Sequence, residues 1–249
     1  MPSLGGLGVT YDFMGALNST AVASSSLTLN YTPTSSKSIL FAGFTHNQYA
    51  TAAMPTPAGW TLIGSCVWAA NNRATYLFAK ASGSTAASSV TGSTTAATGF
   101  AGCVMEVDGL TQSPSLSAAL AADVGTSFAN ATTCSIAGVG GGNSFLYPRG
   151  PWVAVSVCGA TATLTGTVSH TLMTRTTVGD SQAASLIGSA ATSTALGLGI
   201  ARGTGLYSSS ASPSDASWAN SNAVNRNVGI VSALIYPFAQ GSLMQGAGA

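Results

Sequence analysis

The stretch that decides the fold is Ala74–Lys80, Ala-Thr-Tyr-Leu-Phe-Ala-Lys. Successive side chains of an extended chain point to opposite faces, so Tyr76 and Phe78 fall on one side and Thr75, Leu77 and Ala79 on the other. Runs of the same kind recur: Ser38–Thr45 (SILFAGFT), Trp60–Ala69 (WTLIGSCVWA), Phe100–Val107 (FAGCVMEV), Trp152–Cys158 (WVAVSVC), Ala195–Ala201 (ALGLGIA) and Val228–Ile235 (VGIVSALI). Each is rich in strand formers and bounded by Gly, Pro, Asn or Ser. Ser26–Tyr31, Ser88–Gly92, Leu164–Thr171 and Met173–Val178 are weaker candidates. The low-complexity stretch Ser82–Thr98 lies between two strong strands and reads as a loop plus an exposed strand.

Helix signals are sparse, because Ser and Thr compete for backbone hydrogen bonds and β-branching restricts χ1. The one sustained Ala/Leu stretch, Ser115–Asp123 behind Pro114, allows at most one short helix. About ten short strands, with turn signals roughly every 10 to 20 residues and no strand-helix alternation, predict an all-β, antiparallel, jelly-roll-like β-sandwich. A chain of 249 residues accommodates this as a single β-sandwich domain, placed over 12–238. Met1–Thr10 and Gln240–Ala249 are Gly-rich and short of strand formers, so 1–11 reads as an N-terminal arm and 239–249 as a flexible C-terminal tail.

Charged residues make up 5% of the chain, against about 25% in an ordinary soluble domain. Ala, Gly, Ser and Thr supply 137 of the 249 residues. An apolar fraction of 46% with a net charge of +1 excludes intrinsic disorder, which needs low hydrophobicity and high net charge. The glycines are aperiodic, which excludes collagen. No apolar run reaches the roughly 18 residues of a membrane-spanning helix, so no membrane partner is expected. The seven basic residues are scattered singly between Lys37 and Arg226, so no nucleic acid is expected either. The N-terminal residues show no basic n-region and no apolar h-region, which predicts synthesis without a secretory signal.

No catalytic, cofactor-binding or metal-ligating residue is assigned. Cys66, Cys103, Cys134 and Cys158 are widely spaced with no CxxC pair, and read as buried free thiols. His46 and His170 are the only histidines; neither HExxH nor GxSxG is present. Glu106 and Asp108 are the one local carboxylate pair; at i, i+2 on a strand they share a face, which is a poor bracket for a glycosidic bond. Asp108 with Gly109 reads instead as the turn that ends the strand. Gly138–Asn143 (GVGGGN) lacks the Lys-Ser/Thr of a phosphate loop and reads as a loop. Trp60, Trp68, Trp152 and Trp218 could form a sugar-stacking platform, but the first three fall in or beside apolar runs and read as core.

Three segments carry a resemblance: Pro57-Ala58-Gly59-Trp60-Thr61-Leu62-Ile63-Gly64-Ser65, Ala74-Thr75-Tyr76-Leu77-Phe78-Ala79-Lys80-Ala81, and Glu106-Val107-Asp108-Gly109-Leu110. In order and spacing they resemble a widespread group of phage-encoded and phage-like bacterial β-sandwich proteins. Ser217-Trp218-Ala219-Asn220-Ser221, followed by Asn225 and a β run, resembles the closing part of that group. The likeness extends over roughly residues 12–236, and its motifs carry no catalytic signature. It implies a non-enzymatic virion structural protein, made in the host cytoplasm: a capsid decoration (cement) protein, or alternatively a tail-associated receptor- or carbohydrate-binding module with a possible surface glycan ligand. The implied partners are further copies in a homo-oligomer and the major capsid protein or other virion proteins. Small side chains lose little rotamer entropy on burial, and near-zero net charge does not oppose self-association. Lys37, Arg73, Arg149, Arg175, Arg202 and Arg226 are then expected to cluster at contacts or exposed rims.

Overall fold

The computed structural model describes residues 14–47, 53–68, 73–97, 99–108, 123–131, 133–136, 152–161, 168–172, 180–183, 187–189, 194–203, 216–220 and 226–235. Every regular element among them is a β-strand. The first half of the chain forms β1 (Met14–Val22), β2 (Ser26–Tyr31), β3 (Ile39–Asn47), β4 (Thr61–Trp68), β5 (Arg73–Ala81), β6 (Ser88–Ser93) and β7 (Phe100–Val107). The second half forms β8 (Asp123–Ala131), β9 (Thr133–Ile136), β10 (Trp152–Thr161), β11 (Val168–Leu172), β12 (Asp180–Ala183), β13 (Ile187–Ser189), β14 (Thr194–Gly203), β15 (Ala216–Asn220) and β16 (Arg226–Ile235). All of their pairings are antiparallel.

The main sheet of the first half runs β1-β7-β3-β5-β4, and β2 pairs with β6 in a small sheet. In the second half the main sheet runs β12-β14-β10-β16-β8, with β13 also on β14, and the small sheet is β11-β15-β9. The connections repeat. In each half the opening strand pairs with the closing one (β1 with β7, β8 with β16), and the closing strand pairs with β3 or β10. That strand pairs in turn with β5 or β14, while β2 with β6, or β9 with β15, sits apart.

The two main sheets face each other across one cluster. Ile39, Phe41, Leu77, Ala79, Cys103, Met105 and Val107 of the first meet Val153, Val155, Val157, Leu196, Leu198, Ile200 and Val231 of the second. On the far side of the first sheet, Leu40, Phe44, Tyr76, Phe78 and Val104 pack with Leu27, Leu29 and Tyr31 of β2 and Val90 of β6. The first main sheet is therefore covered on both faces, and β7 is buried at every position. The alternation in Ala74–Lys80 is real, but it separates two cores and not a core from solvent. In the second sheet, Ser156, Cys158 and Ala160 point away from the shared cluster and are buried too. The strands β9, β11 and β15 lie against β16, β14 and β10 there.

Glycines set the distance between the main sheets. A Cβ at Gly229 would overlap the six-membered ring of Trp68, and one at Gly159 would overlap Thr45 and Thr75. A Cβ at Gly43 would stand 2.7 Å from Val157 Cγ2. These positions bring backbone against side chain, which no larger residue permits.

The strong runs of the sequence appear as β3, β4, β5, β7, β10, β14 and β16, and the weaker ones as β2, β6 and β11. Ser82–Thr98 holds a strand, β6, as expected, but β6 is not simply exposed: Ser88, Ser89 and Thr91 face solvent while Val90 and Gly92 are buried. β1, β8, β9, β12, β13 and β15 have no counterpart among the runs read from the sequence. The proposed arm over 1–11, the tail over 239–249, Met173–Val178, Gly138–Asn143 and all but the last residue of Ser115–Asp123 lie outside the described residues.

Candidate functional site

Glu106 sits on β7, opposite Leu40 of β3 and Gly15 of β1, and is fully buried. Its carboxylate accepts the Thr34 backbone N–H at 2.9 Å (Oε2) and 3.0 Å (Oε1), and the Ser35 N–H at 3.3 Å. The Ser35 carbonyl in turn accepts the hydroxyls of Ser38 and Ser82, and Ser82 N–H donates to the Ser38 carbonyl at 3.0 Å. Glu106 thus pins the β2–β3 loop to the sheet. Asp108 is buried one residue beyond the end of β7. Two buried carboxylates on one strand end, one engaged by backbone donors, do not form the accessible pair that glycoside hydrolysis requires.

His46 is buried on the opposite face of β3 from Asn47. Its ring stacks on Tyr76 at 5.6 Å and 8° and tilts against Phe100 at 5.2 Å. Nδ1 lies 2.7 Å from the Asn47 carbonyl, which can only accept, so Nδ1 carries the proton. Nε2 then accepts from the Tyr76 hydroxyl at 3.4 Å, and that oxygen accepts the Met54 N–H at 3.2 Å. Burial lowers the pKa of His46; the Asn47 hydrogen bond opposes this, and the Arg73 charge adds to it. Arg73 starts β5, opposite Asn47 and Trp68. Its Nη1 is buried with no hydrogen-bond partner among the described residues. His170 pairs with Trp218 across β11 and β15, far in the chain from His46.

Cys66, Cys103 and Cys158 are buried. Cys103 has a free thiol whose pKa burial pushes up to about 12, so it supplies no thiolate nucleophile. Trp60 and Trp68 are buried, and Trp60 meets Tyr31 edge-on at 6.2 Å, so neither offers a face to a sugar. Among the described residues no group of three His, Cys, Asp or Glu could hold a metal ion. Of the basic residues expected at contacts, Lys37 is exposed and Arg73 is half-buried. Arg202 on β14 stands opposite Asp180 on β12.

The motif segments are spent on architecture. Pro57-Ala58-Gly59-Trp60 closes a turn, with Trp60 N–H donating to the Pro57 carbonyl at 3.1 Å and Gly59 at φ +76°, which favours glycine. Lys80-Ala81 leads into Ser82, which fastens the β2–β3 loop, and Glu106 anchors the same loop.

One surface feature has no counterpart in the sequence reading. The exposed large hydrophobics of the described residues are Leu62 (43%), Val67 (39%) and Val124 (41%). Leu62 and Val67 lie on β4 and Val124 on β8, which among the described residues end the first and second main sheets. β4 and β8 touch, and a Cβ at Gly64 would reach Val124 Cγ1 at 2.7 Å. Val124 therefore meets β4 between the sheets, while Val67, alternating with Cys66 and Trp68 of the shared cluster, faces the outer side of the first sheet. No protein-family model, curated protein or solved structure matches this chain.

Proposed function

We propose that the chain is a non-enzymatic structural protein of a phage virion, a capsid decoration (cement) protein that stabilises the particle through contacts between copies and with the capsid. The observation that carries this reading is the use made of the motif residues: the turn at Pro57–Trp60, the Ser82 fastening and the Glu106 anchor all serve a scaffold. The polar groups that chemistry could recruit are consumed in the same way, with Glu106 held by backbone donors and His46 by Asn47 and Tyr76. We read each half as a jelly roll, in which β1-β7-β3-β5 or β8-β16-β10-β14 forms one sheet and β2-β6 or β9-β15 the start of the other. A scaffold of this kind presents edges and loops to neighbours. Having few charges, it would bind them with little dependence on salt.

The test is cosedimentation of the purified protein with expanded capsids and with tails, followed by electron cryomicroscopy of decorated particles. Density over capsomer junctions is the expected result. Binding to tails alone would move the protein to the tail-associated alternative, and binding to neither would overturn the proposal.

A further inference from the structure

We infer that the chain is two copies of one sandwich unit fused in tandem, packed face to face as an isologous dimer about a twofold axis that runs along β3 and β10. The main sheets share one strand order, β1-β7-β3-β5-β4 against β8-β16-β10-β14-β12. Register extends the match to single residues. β3 and β10 face each other with Gly43 against Val157 and Thr45 against Gly159, so they run in the same direction. With Gly43 and Val157 as equivalents, the ladders make Leu77 equivalent to Leu198 and Cys103 to Val231. Both members of each of these last two pairs lie in the shared cluster, as do Phe41 and its equivalent Val155. The match includes an irregularity that a sandwich does not require. From Thr61 to Cys66 the chain takes five steps against four on β5, Ala79 to Thr75. From Gln182 on β12 to Ile187 on β13 it again takes five, against four on β14, Ile200 to Leu196. In the same registers Ala79 is equivalent to Ile200 and Thr75 to Leu196. One extra residue at the same point of the same ladder marks common descent, since bulges are kept within families.

An isologous contact has a mate in which the two roles are exchanged. β14 touches β3, and β5 touches β10; β8 touches β4, and β1 touches β12 and β13; β16 touches β4, and β7 touches β13. The symmetry is broken where side-chain size matters. Trp68 fills the space over Gly229, where a Cβ would overlap its ring. By register the equivalent of Gly229 is Ala101 and that of Trp68 is Ser189. Val157 stands over Gly43 in the same way, and Thr45 over Gly159. Large meets small at each place, which fits the halves to each other and neither to a copy of itself. The first halves of two chains, so paired, would set Trp68 against the Cβ of Ala101. The halves of one chain are thereby kept from exchanging with those of another.

Spin labels on the full chain test the axis, whatever the protein binds. Ser19 and Thr126 are equivalent by register and both exposed, and Thr61 and Gln182 are equivalent by register. Cysteines are substituted at these positions in pairs, in a Cys134→Ser background; Cys66, Cys103 and Cys158 are buried. The Ser19–Thr61 and Thr126–Gln182 distances should agree if the halves share one fold. The Ser19–Gln182 and Thr126–Thr61 distances should agree if the rotation between halves is its own inverse, which only a twofold is. Agreement in both comparisons is expected, and disagreement in either overturns the inference. A double-mutant cycle tests the mate contact by placing a large residue on the other side of the axis. Ser189→Trp should lower Tm, and adding Ala101→Gly should recover at least half of that loss, as Gly229 accommodates Trp68. Losses that simply add, or Ser189→Trp tolerated alone, would show that Ser189 and Ala101 are not mates and overturn the axis. Should Ser189→Trp fail to fold, the spin-label comparisons decide.

Discussion

At the scale of single residues, the tightest constraint is the absence of a methyl group at Gly229. Alanine there would drive its Cβ into the ring of Trp68, which is already buried between the sheets. Overpacking of this kind costs about 1–3 kcal/mol, which in a protein of this size lowers Tm by roughly 2–10 °C. Calorimetry of Gly229→Ala should show that loss, and an unchanged Tm would mean the sheets part more easily than their packing implies. Gly229 is one of 30 glycines, and nothing in its neighbours on the chain marks it out. Its role depends on Trp68, some 160 residues away, so it is not legible from local sequence. His46 makes a different prediction. Its ring is held neutral in the folded protein, while in the unfolded chain it titrates near its ordinary value of 6.5. Below about pH 6.5 the unfolded chain binds a proton that the folded protein refuses, so stability falls as pH falls, by up to about 1.4 kcal/mol per pH unit, until the lowered folded pKa is reached. Urea midpoints at pH 7 and pH 5 should therefore converge in His46→Gln relative to the parent. Parallel losses in both proteins would show that His46 is not the titrating group.

At the scale of elements, the strands that the sequence displays are those buried on both faces. β3, β5 and β7 lie inside the first main sheet and carry continuous apolar runs, as doubly covered strands do. β1 and β8 hold corresponding positions at the sheet edges of the two halves, and both escape notice: MGALNSTAV and DVGTSFANA contain few strand formers. An edge strand packs against fewer neighbours, so its residues need less apolar surface and leave a fainter pattern. β4 is the exception among the described edge strands, and its apolar sequence is explained by Cys66 and Trp68, which are buried in the cluster between the sheets. The Glu106 anchor operates at this scale too, since it fixes a loop between two strands to a third. Glu106→Gln keeps the shape but replaces an acceptor oxygen with an amino group facing backbone donors. The loss should be about 2–4 kcal/mol, with faster amide exchange at Thr34 and Ser35. If exchange there does not change, the carboxylate is not what holds the loop. The sequence marks Glu106 and Asp108 as a pair; only the fold shows that Glu106 faces the 34–35 backbone.

For the whole molecule, the layers account for much of the composition. With both main sheets covered on their outer faces as well as facing each other, most positions of β3, β5, β7, β10, β14 and β16 must be small or apolar. The charges of β3, β5 and β7 are confined to Arg73, Lys80 and Glu106, near strand ends. The 5% charge content thus follows in part from internal layering. The repeated strand order raises the question of whether the halves are independent. Seven side chains of the second sheet, Val153, Val155, Val157, Leu196, Leu198, Ile200 and Val231, are buried in the shared cluster. At about 1.5–3 kcal/mol each, exposing them would cost more than about 10 kcal/mol, comparable with the whole stability of a typical domain, about 5–15 kcal/mol. Neither half can then persist once the other has unfolded. Denaturation should be a single transition, coincident by far-ultraviolet circular dichroism and by tryptophan fluorescence, which reports on Trp68 at the junction of the sheets. Two separated transitions would mean that the halves are held by much less than the shared cluster implies, and that the repeated strand order marks two domains.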